Sequence, residues 1–250
     1  MSGRLAILLA MATFAGPAAA ELPAQCQVAQ HLNEYIFPLP AVARAIAAKR
    51  LEVLVIGAGS SVLPGPNGAS FAYPARLEAA LGESLPGVAV KVATDIASRR
   101  TAAEMVSGLP AALSASKPQL LVWQTGTIDA MQGVDPDQFK QTLDQGINLA
   151  RQERADVVLV NAQYSPRTES IIALGTYADD MRWVALQHDV PLFNRFGIMR
   201  LWADLGTFDF TTATKKLDMA KRVHDCIGRL LADLIVESAR SGAPHPAGDR

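Results

Sequence analysis

Five short apolar runs alternate along the chain with stretches of helical periodicity, and this alternation restricts the fold more than any other feature. The runs are residues 51–56 (apolar except for Glu52 and followed by Gly57), 88–92, 120–123, 157–160 and 190–193. Runs this short, rich in Val, Leu and Ile, suit strands buried on both faces. Helical signals lie between them. Residues 75–81 follow Tyr73-Pro74, with proline near a helix start. Thr101 with Glu104 three residues on forms a capping box. Phe139, Leu143 and Ile147 share one face, residues 168–188 are helical in pattern, and Val223, Ile227, Leu230, Leu231 and Leu234 form a stripe on the last helix. Strand followed by helix, repeated, predicts a three-layer α/β/α sandwich with a five-stranded, mostly parallel, flavodoxin-like sheet.

Composition excludes several classes. Half of the 250 residues are hydrophobic, and 23 Lys and Arg stand against 24 Asp and Glu. Such a chain is too apolar for disorder, and it has no basic excess to neutralise a phosphate backbone, so no nucleic acid is expected. Residues 1–20 read as a secretory leader, removed after Ala20. Arg4 supplies the positive end, residues 5–14 the apolar segment, and Ala18-Ala19-Ala20 the cleavage pattern. Without Arg4, 22 basic residues face 24 acidic ones, a net charge of −2. The processed chain is expected to be exported, most simply to a bacterial periplasm, with no membrane span. In an oxidising compartment Cys26 and Cys226 are expected to form a disulfide. Residues 21–50 form an arm and short helix, 51–236 the folded domain, and 237–250 a flexible tail.

In a parallel sheet the crevice lies beyond the C-terminal strand ends. That gathers residues 57–70, 94–100, 124–131 and 161–167, joined by 208–218 before the last helix. The first of these regions is entered through Val55-Ile56-Gly57-Ala58-Gly59-Ser60-Ser61, and the third opens on Gln124-Thr125-Gly126-Thr127-Ile128-Asp129-Ala130. With the order of elements over residues 51–235, these resemble the SGNH (GDSL-type) hydrolases. That family carries G-[DS]-S after its first strand, a glycine after the second, G-x-N-D after the third and D-x-x-H before the last helix. The resemblance implies a serine nucleophile, a histidine base oriented by an aspartate, and an oxyanion hole from backbone, glycine and asparagine.

Most of those positions are substituted here. Aligning Gly57 with the motif glycine places Gly59 at the nucleophile. A shift of two instead matches Gly59-Ser60-Ser61, with Ser61 as nucleophile. Arg99 stands at the second-strand glycine, Gly126 begins the third motif, and Ile128 stands at its asparagine. Lys215 and Asp218 fall at the family's Asp and His, and no D-x-x-H occurs. Two functional readings follow. One is a non-catalytic relative that keeps the crevice for a small ligand, a glycan or a protein partner. The other is a divergent acyl or acetyl esterase using Ser60 or Ser61, with His224 or a carboxylate as base. A blander third reading has the crevice filled by Ile128 with Val62 or Leu63.

Each candidate also has a structural reading. Ser60 and Ser61 can cap a turn, His224 can be a surface or partly packed residue beside the apolar stripe, and Asp129 can cap the turn after Gly126. Asp135 and Asp137 mark a helix start. Arg99 and Arg100 with Lys215 and Lys216 offer a cationic site or two solvated patches. Trp123, Tyr164, Trp183 and Trp202 read as core or edge packing. No pair of histidines has metal spacing, so neither a metal nor a cofactor is expected.

Overall fold

The computed structural model describes residues 22–33, 37–211 and 216–242. The leader at 1–20 therefore lies outside the described residues. Five strands, β1 (Arg50–Gly57), β2 (Ala89–Ile96), β3 (Leu120–Gln124), β4 (Asp156–Val160) and β5 (Leu192–Phe193), form one sheet in the order β2-β1-β3-β4-β5. Every pairing is parallel, and β1 with β2 runs in register from Arg50 opposite Ala89 to Gly57 opposite Ile96. Ten helices surround it among the described residues: α1 (Pro40–Ala47), α2 (Gly68–Phe71), α3 (Tyr73–Ser84), α4 (Ala102–Ser116), α5 (Thr127–Gln132), α6 (Pro136–Gln152), α7 (Pro166–Glu169), α8 (Leu174–Gln187), α9 (Arg195–Asp204) and α10 (Lys216–Ser241).

Alternation along the strands divides the core in two. Val53, Val55, Val122, Val158 and Val160 meet Leu77 and Leu81 of α3 and Ile227, Leu230, Leu231 and Leu234 of α10. Leu54, Ile56, Leu121, Trp123 and Leu159 meet Met105 and Leu109 of α4, Phe139, Leu143 and Ile147 of α6, and Met181 of α8. Burying each large side chain contributes about 1.5–3 kcal/mol, which favours covering both faces. Thr101 and Glu104 form the expected capping box on α4.

Some boundaries differ from the sequence pattern. β2 is longer than residues 88–92, because its pairing with β1 continues to Ile96. β5 shrinks to two residues. The expected helix over 168–188 is interrupted between α7 and α8. The expected tail over 237–250 begins too early: α10 continues to Ser241, where Ser238 and Ala239 are buried and the Ser238 carbonyl accepts the Leu39 amide at 3.0 Å. Residues 243–250 lie outside the described residues.

Cys26 and Cys226 are joined by a disulfide across 200 residues of sequence. It ties the turn Ala24–Cys26 to the middle of α10. Against α3, α10 approaches closely at Gly228. A Cβ there would stand 2.6 Å from the Arg76 Cβ and 2.8 Å from its carbonyl carbon. Because the obstacle includes backbone, Gly228→Ala is expected to force the helices apart and destabilise the fold by about 1–3 kcal/mol. Urea unfolding checks this, and an unchanged midpoint would show that the contact is dispensable.

Candidate functional site

The first crevice loop is built around one amide. Gly57 ends β1, Ala58 is extended, and Gly59–Ser61 make a single 3-10 turn. The Gln124 side chain, at the end of β3, accepts the Ala58 N–H at 3.1 Å on its Oε1. The same oxygen accepts the Ser61 hydroxyl at 2.8 Å and the more distant Ser60 hydroxyl at 3.3 Å. Gly57 is required by this packing, since a Cβ would lie 2.4 Å from Ser61 Oγ. Ser61 is fully buried, and its Oγ also shares a hydrogen bond with Tyr73 Oη at 3.1 Å. Its hydroxyl therefore fastens the turn to β3 and α3. Gly59 faces the loop after β2, where a Cβ would stand 3.4 Å from Ser98 Oγ. Of the two serines, Ser60 alone reaches the surface.

No sequence motif marks Arg195, yet it dominates this end of the sheet. It is the first residue of α9, directly beyond β5, and its side chain is 0% exposed. Nη1 donates to Ser60 Oγ at 3.3 Å, and Nη2 donates to the Ser60 carbonyl at 3.0 Å and to Gln163 Oε1 at 3.0 Å. Its guanidinium also lies over the Tyr73 ring, 5.6 Å from the centroid. Nε has no acceptor, and no carboxylate pairs with the group among the described residues. Burial lowers its pKa to about 10, so it stays cationic at neutral pH. The first amides of α9 are held by neighbours: Asn161 Oδ1 accepts from Phe196 and Asn194 Oδ1 from Gly197. A signal was available in the sequence, because residue 195 follows the fifth apolar run and strand exits face the crevice.

The remaining candidates disperse. His224 is 5% exposed, more enclosed than the surface or partly packed residue its position suggested. Gly228, one turn further along α10, lets the helix approach α3, and His224 Nδ1 then accepts the Tyr73 backbone N–H at 2.9 Å. Burial, and secondarily the charge of Arg195, depress its pKa to about 3, so the ring is neutral. Asp129 is buried at the start of α5. Its Oδ1 accepts the Ala102 N–H at 2.9 Å, and its Oδ2 accepts Gly126 N–H and the Thr125 hydroxyl, each at 3.2 Å. Burial raises its pKa despite these bonds. Ile128 is half-buried against the α4/α6 core. Arg99 is exposed with φ 61°, and Arg100 Nη1 donates to both carboxylate oxygens of Asp95 at 3.0 and 3.1 Å. Asp218 is exposed on α10, 3.7 Å from Lys221 Nζ. Lys215 and the Lys216 side chain lie outside the described residues.

Trp123, Tyr164 and Trp202 are buried, whereas Trp183 is exposed under Lys140. Beside the Ser61 turn a cavity of about 320 Å³ opens between α3 and β2, lined by Val62, Pro74, Glu78, Val92 and Ile96 among others. Among the described residues no cluster of His, Cys, Asp and Glu is arranged to hold a metal, and no helix is long and apolar enough to cross a membrane.

The strand order, the flanking layers and the loop cluster define the α/β/α fold of the SGNH hydrolases. Residues 25–241 match the model of the non-GDSL lipase-like family, and the chain belongs to that family. Among solved structures, TesA is similar at 25% identity, covering 73% of this chain and 99% of that one with a TM-score of 0.57. The acetylxylan esterase Axe2 of Geobacillus stearothermophilus shares 16% identity over 74% of this chain and 94% of its own, at a TM-score of 0.60. The psychrotrophic esterase EstA of Pseudoalteromonas sp., solved with monoethylphosphonate as inhibitor, shares 15% over 74% and 97%, at 0.57. A search of the curated proteins found no match.

Proposed function

We propose that the chain is an exported, non-catalytic SGNH-hydrolase-like protein whose crevice receives a small ligand, a glycan or a partner. One observation carries this reading. Two of the groups that resembled catalytic residues already have structural partners: Ser61 holds Gln124 and Tyr73, and His224 Nδ1 holds a backbone amide. A serine without a base is a poor nucleophile, and a triad loses most of its rate together rather than in shares. The strand exit at Gly57 supports the register in which Gly59 occupies the nucleophile position. Export rests on residues 1–20, and the Cys26–Cys226 bond suits an oxidising compartment.

Ester hydrolysis through Ser60 is the second reading. It draws support from the partial exposure of Ser60, whose Oγ receives a hydrogen bond from the Arg195 guanidinium. A serine-reactive fluorophosphonate and a butyryl nitrophenyl ester separate the two. No labelling is expected, with turnover equal to that of the Ser60→Ala/Ser61→Ala double variant. Labelling that disappears in Ser60→Ala alone would overturn the non-catalytic reading and name the nucleophile.

A further inference from the structure

We infer that Arg195 is the receptor for a carboxylate-bearing ligand, and that the Gln163 side-chain oxygen stands where one carboxylate oxygen would bind. This rests on the crevice-binding reading above and gives it a chemical class. A guanidinium offers two forks, an end-on pair from Nη1 and Nη2 and a side-on pair from Nε and Nη2. Ser60 fills the end-on fork with its hydroxyl and carbonyl oxygens. The side-on fork remains. One prong, the second Nη2–H, donates to Gln163 Oε1 at 3.0 Å, and the other, Nε–H, is buried with no acceptor among the described residues.

A single amide oxygen fills one prong. A carboxylate has two oxygens at the spacing of the fork, so it would replace the Gln163 oxygen and also satisfy Nε–H. It would bring the negative charge that this buried cation lacks among the described residues. Gln163 suits a displaceable cover: it lies half-buried in the loop between β4 and α7, and its side chain has several rotatable bonds. The Phe196 and Gly197 amides of α9 are engaged by Asn161 and Asn194, so they do not compete with the guanidinium for an anion. A singly charged group neutralises one guanidinium, whereas a dianion would leave an uncompensated charge in the enclosed site.

Thermal unfolding of the purified, disulfide-intact protein tests this, with sodium butyrate, sodium sulfate and sodium chloride compared at equal ionic strength. Butyrate is expected to raise Tm saturably by roughly 2–5 °C above chloride. Gln163→Glu, which supplies an internal carboxylate to the same prong, is expected to raise Tm by itself and to abolish the butyrate shift. Arg195→Lys, chosen because Arg195→Met risks misfolding, keeps the charge without the fork and is expected to weaken butyrate at least tenfold. No butyrate shift in the unmodified protein, an equal shift in Gln163→Glu, or a saturable sulfate shift larger than that of butyrate and lost in Arg195→Lys would each overturn the assignment. Fluorophosphonate labelling decides the non-catalytic reading separately, so the two failures are distinguishable.

Discussion

Acidification from pH 7 to pH 4 is expected to cost the protein about 3 kcal/mol more than it costs the His224→Asn variant. His224 is neutral in the fold because Nδ1 must accept the Tyr73 N–H and because the ring is shut away from water near Arg195. A proton on Nδ1 would set donor against donor and leave a buried charge. The folded pKa of about 3 lies below the ordinary 6.5. Between those values the unfolded chain binds the proton and the native one does not. The contribution is therefore fully present above pH 6.5 and is lost as pH falls toward 3.

Asp129, Asp156 and Asp233 act in the opposite direction. Burial raises each carboxyl above its ordinary 3.8, so the native state binds the extra proton in the window just above that value. These groups stabilise the fold on acidification and partly offset His224 in the unmodified protein. They are common to both proteins, so the difference between the two isolates the histidine. The asparagine side chain of the variant offers an oxygen near the Nδ1 position that accepts the same N–H without titrating. Urea unfolding at several pH values measures the difference, and parallel curves would show that His224 protonates without strain.

The sheet was legible from the sequence, and the chemistry of its crevice was not, for one physical reason. Val53 to Ile56 and Leu120 to Trp123 announce themselves because burial on both faces demands continuous apolar runs, a local property. The environment of Ser61 depends on Gln124 and Tyr73, 63 and 12 residues away. Nothing in the immediate neighbourhood of Ser61 distinguishes a reachable hydroxyl from one that fastens a turn. His224 sits beside the apolar stripe, and its burial depends on Gly228 admitting α10 onto α3. Arg195 is the extreme case. A fully enclosed guanidinium runs against every compositional expectation, and only the exit of β5 could have drawn attention to it. Asp129 lies between these cases: its place at a turn after Gly126 was readable, whereas its bond to Ala102, 27 residues earlier, was not.

Replacing both cysteines, as Cys26→Ala/Cys226→Ala, is expected to lower stability by up to about 5 kcal/mol, the chain-entropy figure for a loop of this size. The bond closes nearly the whole described chain, from the turn at Ala24–Cys26 to α10. In the unfolded state it therefore restricts almost every residue, and its removal lets the unfolded chain expand. Both cysteines sit at 0% exposure in the same core as Leu39, Val42 and Leu230, so the variant also loses some buried contact there. The urea midpoint should fall and the slope of unfolding free energy with urea should steepen as more surface is exposed. Dithiothreitol should bring the unmodified protein close to the variant and leave the variant itself unchanged. A loss below about 1 kcal/mol would mean that residues 22–33 detach locally without weakening the sheet. The bond would then anchor the N-terminal arm alone, and its contribution to the fold around Arg195 would be nil.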